Sequence, residues 1–140
     1  MKNIIFVVLA MLFASITSFS QSKAPKAIET SFKLKFPKAT KMKWEKENAH
    51  EYEADFIENG VKHTANFNDK GEWLETEITT TFDKLPEKIK TSFKTSHNED
   101  KIIAVAKIET SGGKTHYEIE VKKVLKTVEY YYNSEGKLIK

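Results

Sequence analysis

The 140-residue chain has no cysteine and no arginine, and after its first stretch it has no long apolar run. Without cysteine, the disulfides that commonly hold small exported domains together are excluded, and so is lipid attachment through a thiol, so stability must come from an ordinary apolar core. Without arginine, the forked donor that phosphate and carboxylate recognition favours is missing. All 23 basic residues are therefore lysines, dispersed among 20 acids for a formal net charge of +3. Such a distribution is a solvated surface and not a nucleic-acid footprint, so nucleic acid is not an expected partner.

What is present begins with an export signal. Lys2 is followed by an unbroken nonpolar run from Ile4 to Ala14 and then by Ser15 to Ser20, the charged, apolar and small-residue order of a secretory leader. The apolar run is too short to span a bilayer comfortably, and Ser18 and Ser20 satisfy the small-x-small rule for cleavage after Ser20. The expected organisation is thus a signal peptide over 1–20 and one domain over 21–140, acting in the periplasm or secreted. No membrane span is expected once the leader is removed. Loss of Lys2 lowers the formal charge from +3 to +2.

The mature part reads as one unit written twice. Pro25, Ile28, Thr30, Ser31, Phe32 and Lys33 fall on Pro86, Ile89, Thr91, Ser92, Phe93 and Lys94 at an offset of 61 (86 minus 25). Further on, Tyr52 and Glu53 fall on Tyr117 and Glu118, and Phe67, Asn68 and Gly71 on Tyr132, Asn133 and Gly136, at an offset of 65 (117 minus 52). The gap of four residues is placed around Ser111, Gly112 and Gly113. Two anchors in the same order point to a tandem duplication with repeats near 24–80 and 85–140.

Each repeat opens with a helix. Pro25 and Pro86 stand where an early helical proline is tolerated, with Ser22 and Asp83 just upstream as expected caps. Ala24, Ile28 and Phe32, like Leu85, Ile89 and Phe93, recur every four residues and give each helix a single narrow apolar stripe. Pro37 ends the first helix. Strands are expected over 42–47, 51–58, 61–68 and 72–80, then 102–109, 115–122, 127–133 and a short 137–140.

The turns fix the register. Asn59-Gly60 is a two-residue hairpin signal, which sets Phe56 opposite His63, Ala54 opposite Ala65 and Tyr52 opposite Phe67 on one face, and Glu53, Asp55, Lys62, Thr64 and Asn66 on the other. Asp69-Lys70-Gly71 reads as a three-residue loop. In the second repeat Val124 and Leu125 replace Asn59 and Gly60, which is poor turn chemistry, so the register there is left open. The expected fold is α+β: two helix-plus-four-strand units with both helices on one face of a shared antiparallel sheet, the halves sharing a core.

Phe36-Pro37-Lys38-Ala39, Trp44, Tyr52 to Phe56, the turn Phe67-Asn68-Asp69-Lys70-Gly71-Glu72-Trp73, and Leu85-Pro86 with Ile89, taken with the leader, resemble the PepSY-like, β-lactamase-inhibitor-protein-like family of small periplasmic proteins. The resemblance spans nearly all of 24–140. It implies a tandem fold whose helix-free sheet face can meet another protein, and it implies no catalytic residues. The second repeat departs from the pattern, with His97-Asn98-Glu99-Asp100 in place of Phe36-Pro37-Lys38-Ala39 and Val105 in place of Trp44.

Few residues carry chemistry. Glu53 with Asp55, and Glu118 with Glu120, stand at i, i+2 on strands and so share a face, where carboxylate pairs can bind a metal or move protons. No third ligand is fixed by spacing, and a solvated face balanced by Lys62 and Lys122 accounts for them. His50, His63, His97 and His116 show no ligand spacing, and Ser111-Gly112-Gly113-Lys114 lacks the spacing and following helix of a phosphate loop. No metal or cofactor is expected. Trp44 and Trp73 alternate in phase with the core. Tyr131 aligns with Asn66 on the free face and is the leading contact candidate, because tyrosine is enriched in binding hot spots.

The sequence therefore points to a non-catalytic exported module that binds a protein or peptide through its free sheet face, by Tyr131, Glu53, Asp55, Asn66, Glu118 and Glu120. Inhibition of a secreted enzyme is one form of that role, by fold analogy. The alternative is a binder of a small ligand or cell-envelope component, which needs an aromatic-lined pocket between the repeats. A hydrolase would need turnover that depends on the carboxylate pairs, and none is expected.

Overall fold

The structure, a computed structural model, describes residues 23–140; the predicted leader, the cleavage position after Ser20 and the Ser22 cap lie outside them. The described elements run α1 (Lys26–Lys35), β1 (Thr40–Lys46), β2 (Glu51–Glu58), β3 (Val61–Asn68), β4 (Trp73–Thr79), α2 (Glu87–His97), β5 (Lys101–Thr110), β6 (Thr115–Lys122) and β7 (Thr127–Asn133). The strands form one antiparallel sheet in plain chain order, β1 to β7.

Both helices start on a proline. Pro25, with φ −51°, precedes α1 and its carbonyl accepts the Ile28 and Glu29 amides; Pro86, with φ −52°, does the same for Ile89 and Lys90 of α2. Asp83, expected as a cap, instead sits in a 3-10 turn, Phe82–Lys84, and no side chain caps either helix start. At the end of α1 the Phe36 amide donates to the Phe32 carbonyl at 2.8 Å. Pro37 then has no amide hydrogen with which to extend the ladder.

The β2–β3 register is the one the Asn59-Gly60 turn requires, with Phe56 opposite His63, Ala54 opposite Ala65 and Tyr52 opposite Phe67. Both turn residues have positive φ, 51° and 79°, as this turn type demands. The β6–β7 register, left open by the sequence, pairs Glu118 with Tyr131 and Tyr117 with Tyr132, and the tip is closed by the Lys123 amide on the Lys126 carbonyl at 2.8 Å. The expected eighth strand is reduced to a bridge between Tyr132 and Leu138, although the Ile139 amide donates to the Tyr131 carbonyl and the Tyr131 amide to the Lys140 carbonyl. This tail lies along the outer edge of β7 and covers backbone groups that would otherwise be open to another strand.

Burial separates two cores where the sequence suggested a shared one. Ile28 and Phe32 of α1 pack on Trp44, Ala54, Phe56, Ala65 and Phe67, while Ile89 and Phe93 of α2 pack on Val105, Ile119, Val121 and Tyr132. Pairing carries the helix-facing side from Ala65 to Thr76 and Glu109, and from His63 to Ile78 and Lys107. Both helices therefore lie on the same face, and the seam between them is largely polar: the Trp73 indole donates to Thr76 at 2.8 Å, and Lys107 pairs with Glu109 at 2.6 Å. Trp44 is buried and Trp73 half-buried, with the Lys35 ammonium 3.5 Å from the Trp73 ring centre.

Candidate functional site

The face opposite the helices is built by strand alternation. One row across it runs Asp55, Thr64, Glu77, Ile108 and His116; a second runs Glu53, Asn66, Glu75 and Thr110; a third runs Thr79, Ala106, Glu118 and Tyr131. Where β5 places only Ala104 and Ala106, the face sinks into a groove of about 430 Å³ lined by Glu77, Glu118, Glu120 and Glu129, with Lys62 and Lys122 also on its wall. Small side chains flanked by long ones make the hollow. A bulge between Ile102 and Ala104 adds Ile103 to the lining.

The six sequence candidates do not converge equally. Glu118 and Glu120 line the groove, whereas Glu53, Asp55 and Asn66 share its face on β2 and β3 without lining it. Asp55 is held by Thr64, whose hydroxyl donates to it at 2.7 Å, and by the Lys62 ammonium at 3.4 Å. Tyr131 lies on this face opposite Glu118, as aligned, but its side chain is only 5 % exposed. It therefore does not project as the contact expected of it. Its hydroxyl donates to Glu129 at 2.9 Å and the Lys140 ammonium lies 5.1 Å from its ring centre, so neighbours on β7 and the tail engage it.

Crowding of acids in a half-buried surface changes their protonation. Burial, followed by the charge of Asp55, pushes Glu53 up to about 7; burial and Glu118 push Glu77 up to about 8; burial and Glu129 push Glu118 up to about 7, against an opposing hydrogen bond from Tyr131. Glu75 and Glu120 are raised for the same first reason. The Tyr131 hydroxyl is driven strongly upward by burial and by Glu118 and Glu129, so it stays a donor. Among the described residues no three histidine or carboxylate side chains are grouped to hold a metal ion.

Glu75, Glu77 and Glu129 were not among the sequence candidates. The first two were within reach of it: once Asp69-Lys70-Gly71 closes the β3–β4 hairpin, alternation puts them opposite Asn66 and Thr64. Glu129 depended on the β6–β7 register.

A family model described as "Putative beta-lactamase-inhibitor-like, PepSY-like" matches residues 14–62 and 50–140. The chain belongs to the PepSY-like family. Among solved structures, it is similar to a BLIP-like protein from Bacteroides fragilis at 27% identity and a TM-score of 0.73, over 85% of each chain. It is also similar to a DUF2874 family protein from Bacteroides ovatus, at 23% identity and a TM-score of 0.77 over 85% of this chain and 86% of that one. A third, described as "putative periplasmic proteins" from Bacteroides eggerthii, aligns at 20% identity and a TM-score of 0.79 over 85% and 88%. The latter two show the fold alone. No curated protein matches in sequence. The α+β architecture is thus shared with the solved BLIP-like protein, and among the described residues no helix is long and apolar enough to cross a membrane.

Proposed function

We propose that this PepSY-like chain is a non-catalytic module, exported to the periplasm or secreted after loss of residues 1–20, that binds a protein or peptide through its helix-free sheet face. The observation that carries this is the groove: about 430 Å³, walled by Glu77, Glu118, Glu120 and Glu129 on one rigid sheet. A partner that brings lysine or arginine side chains into it satisfies carboxylates that the fold otherwise keeps close together at a cost. Glu53, Asp55 and Asn66 extend the surface across β2 and β3, and Tyr131 acts from below by holding Glu129 in place. Inhibition of a secreted enzyme is the form of this role that the family description and the BLIP-like relative suggest.

The tandem duplication belongs to the same reading. Its support is positional: Gly71 packs against the Ala27 carbonyl of α1 and Gly136 against the Lys88 carbonyl of α2, and these four residues stand at the two offsets read from the sequence. The binder of a small ligand is less well supported, because the groove is lined by carboxylates, lysines and aliphatic side chains and not by the aromatics that reading requires.

The test is capture from periplasmic extract with the exported protein, run beside Glu118→Lys/Glu120→Lys in the groove and Lys33→Glu on the helix side. Loss of a captured protein with the first variant and retention with the second is the expected result. Equal capture by all three, or none by the native protein, overturns the reading.

A further inference from the structure

The β6–β7 tip has an arrangement that folding does not require. Val124 and Leu125 are 96 % and 95 % exposed, side by side, at the end of a hairpin. The corresponding β2–β3 tip carries Asn59 and Gly60, both with positive φ, which is the chemistry such turns favour. Val124 and Leu125 offer no such turn preference and bury nothing. Single exposed apolar residues are ordinary on a surface; here two are adjacent at one tip and both are almost fully exposed.

The tip segment itself carries charge of one sign, although the groove beside it is acidic. Residues 121–128 contain Lys122, Lys123 and Lys126 and no acid. Lys122 lies directly opposite Lys101 on β5, a like-charge cross-strand pair that works against pairing. Asp100 is taken up by Lys123 and His97. Lys101, Lys122 and Lys126 are exposed around the apolar tip, and Ile103, 46 % exposed in the β5 bulge, lies in the same groove lining as Lys122 and Thr127.

We propose that this tip is a membrane-surface anchor: Val124 and Leu125 enter the headgroup and upper acyl region of an anionic bilayer while Lys101, Lys122 and Lys126 pair with lipid headgroups. Apolar side chains that leave water, flanked by cations whose long stems reach back to the interface, are the combination that peripheral attachment uses. A protein pocket accounts for the apolar pair but does not by itself call for the exposed lysines that flank it. The contact is peripheral, and it holds the module at the envelope with its groove still open beside the anchor.

The exported protein is sedimented with vesicles of phosphatidylcholine containing about 30 % phosphatidylglycerol, and with vesicles of phosphatidylcholine alone. Expected are binding to the anionic vesicles only, weakening with added salt, and a loss of about tenfold or more in both Val124→Ser/Leu125→Ser and Lys122→Glu/Lys126→Glu. Because Val124 and Leu125 are exposed, the Val124→Ser/Leu125→Ser variant should keep the native melting temperature, which separates lost binding from lost folding. In a Leu125→Trp variant, indole emission should shift to the blue when anionic vesicles are added. Equal sedimentation of native and variant protein, or no sedimentation of the native protein, overturns the proposal. So does loss of a captured protein partner, without any vesicle binding, in the Val124→Ser/Leu125→Ser variant.

Discussion

The Tyr131 hydroxyl donates to the Glu129 carboxylate at 2.9 Å, two residues away on the same strand and on the face opposite the helices. The bond joins an almost fully buried ring to a carboxylate on the groove wall. Hydrogen bonds to charged groups contribute about 1.5–3 kcal/mol, and deleting the donor leaves Glu129 facing Glu118 with less compensation. Tyr131→Phe should therefore lower unfolding stability by about 1–3 kcal/mol while the ring packing is retained. Urea denaturation checks this, and an unchanged midpoint would show that the hydroxyl has no role in holding the groove.

The raised carboxylates predict an unusual dependence of stability on pH. Glu53, Glu77 and Glu118, at about 7, 8 and 7, hold protons in the native state that the unfolded chain releases near its ordinary value of 4.5. Their contribution is fully present below 4.5 and is lost as pH rises through 7 to 8. The other groups that act on them are Glu45, Glu47, Asp55, Lys62, Glu75, Glu120, Glu129, Tyr131 and Lys140, in which acids outnumber cations. His116, lowered by burial, acts in the opposite sense below its ordinary value of 6.5, as a single group against several. The melting temperature should fall by about 5 °C or more between pH 5 and pH 8.5. Glu77→Gln should raise it at pH 8.5 and flatten the slope; a melting temperature that rises with pH across this interval would be fatal to this account.

Strand alternation and turn chemistry made most of this sheet legible in advance. β2 and β3 have the predicted limits because Asn59-Gly60 and Asp69-Lys70-Gly71 leave only one register that buries Ala54, Phe56, Ala65 and Phe67 together, and β6 and β7 have theirs from the match to the first repeat, although their register did not follow from the turn. What escaped was three-dimensional. That Tyr131 is buried follows from its neighbours on β7 and the tail, that the cores are two follows from Thr76, Lys107 and Glu109 at the seam, and that the face is hollow follows from Ala104 and Ala106. Alternation assigns a side chain to a face, but it does not say how deep that face is.

Two cores under one sheet predict independent responses to core mutation. Ile28 on α1 and Ile89 on α2 are each fully buried, in separate clusters. Ile28→Val and Ile89→Val should each cost about 0.5–1.5 kcal/mol. Sites without shared partners add to within about 0.5 kcal/mol, so the double variant should show the sum. A larger coupling measured in a double-mutant cycle would mean that the polar seam transmits packing and that the halves act as one core.

The hairpin glycines should rank by what a methyl group meets. At Gly60, φ is +79° and nothing lies within 4 Å, so Gly60→Ala meets backbone strain alone, about 1–2 kcal/mol. At Gly71, φ is +82° and an added carbon would lie 3.2 Å from the Ala27 carbonyl oxygen and the Ser31 hydroxyl, a contact that the serine side chain relieves only in part. At Gly136, φ is +81° and the same carbon would lie 2.9 Å from the carbonyl carbon and oxygen of Lys88, backbone atoms of α2 that cannot turn aside. Alanine there has to push the helix off the sheet, adding about 1–3 kcal/mol to the strain. Unfolding stabilities of the three alanine variants should thus fall in the order Gly60, Gly71, Gly136, the last being lowest. If Gly136→Ala proves no worse than Gly60→Ala, α2 does not rest on that turn, and the close approach at Lys88 is not what positions it on the sheet.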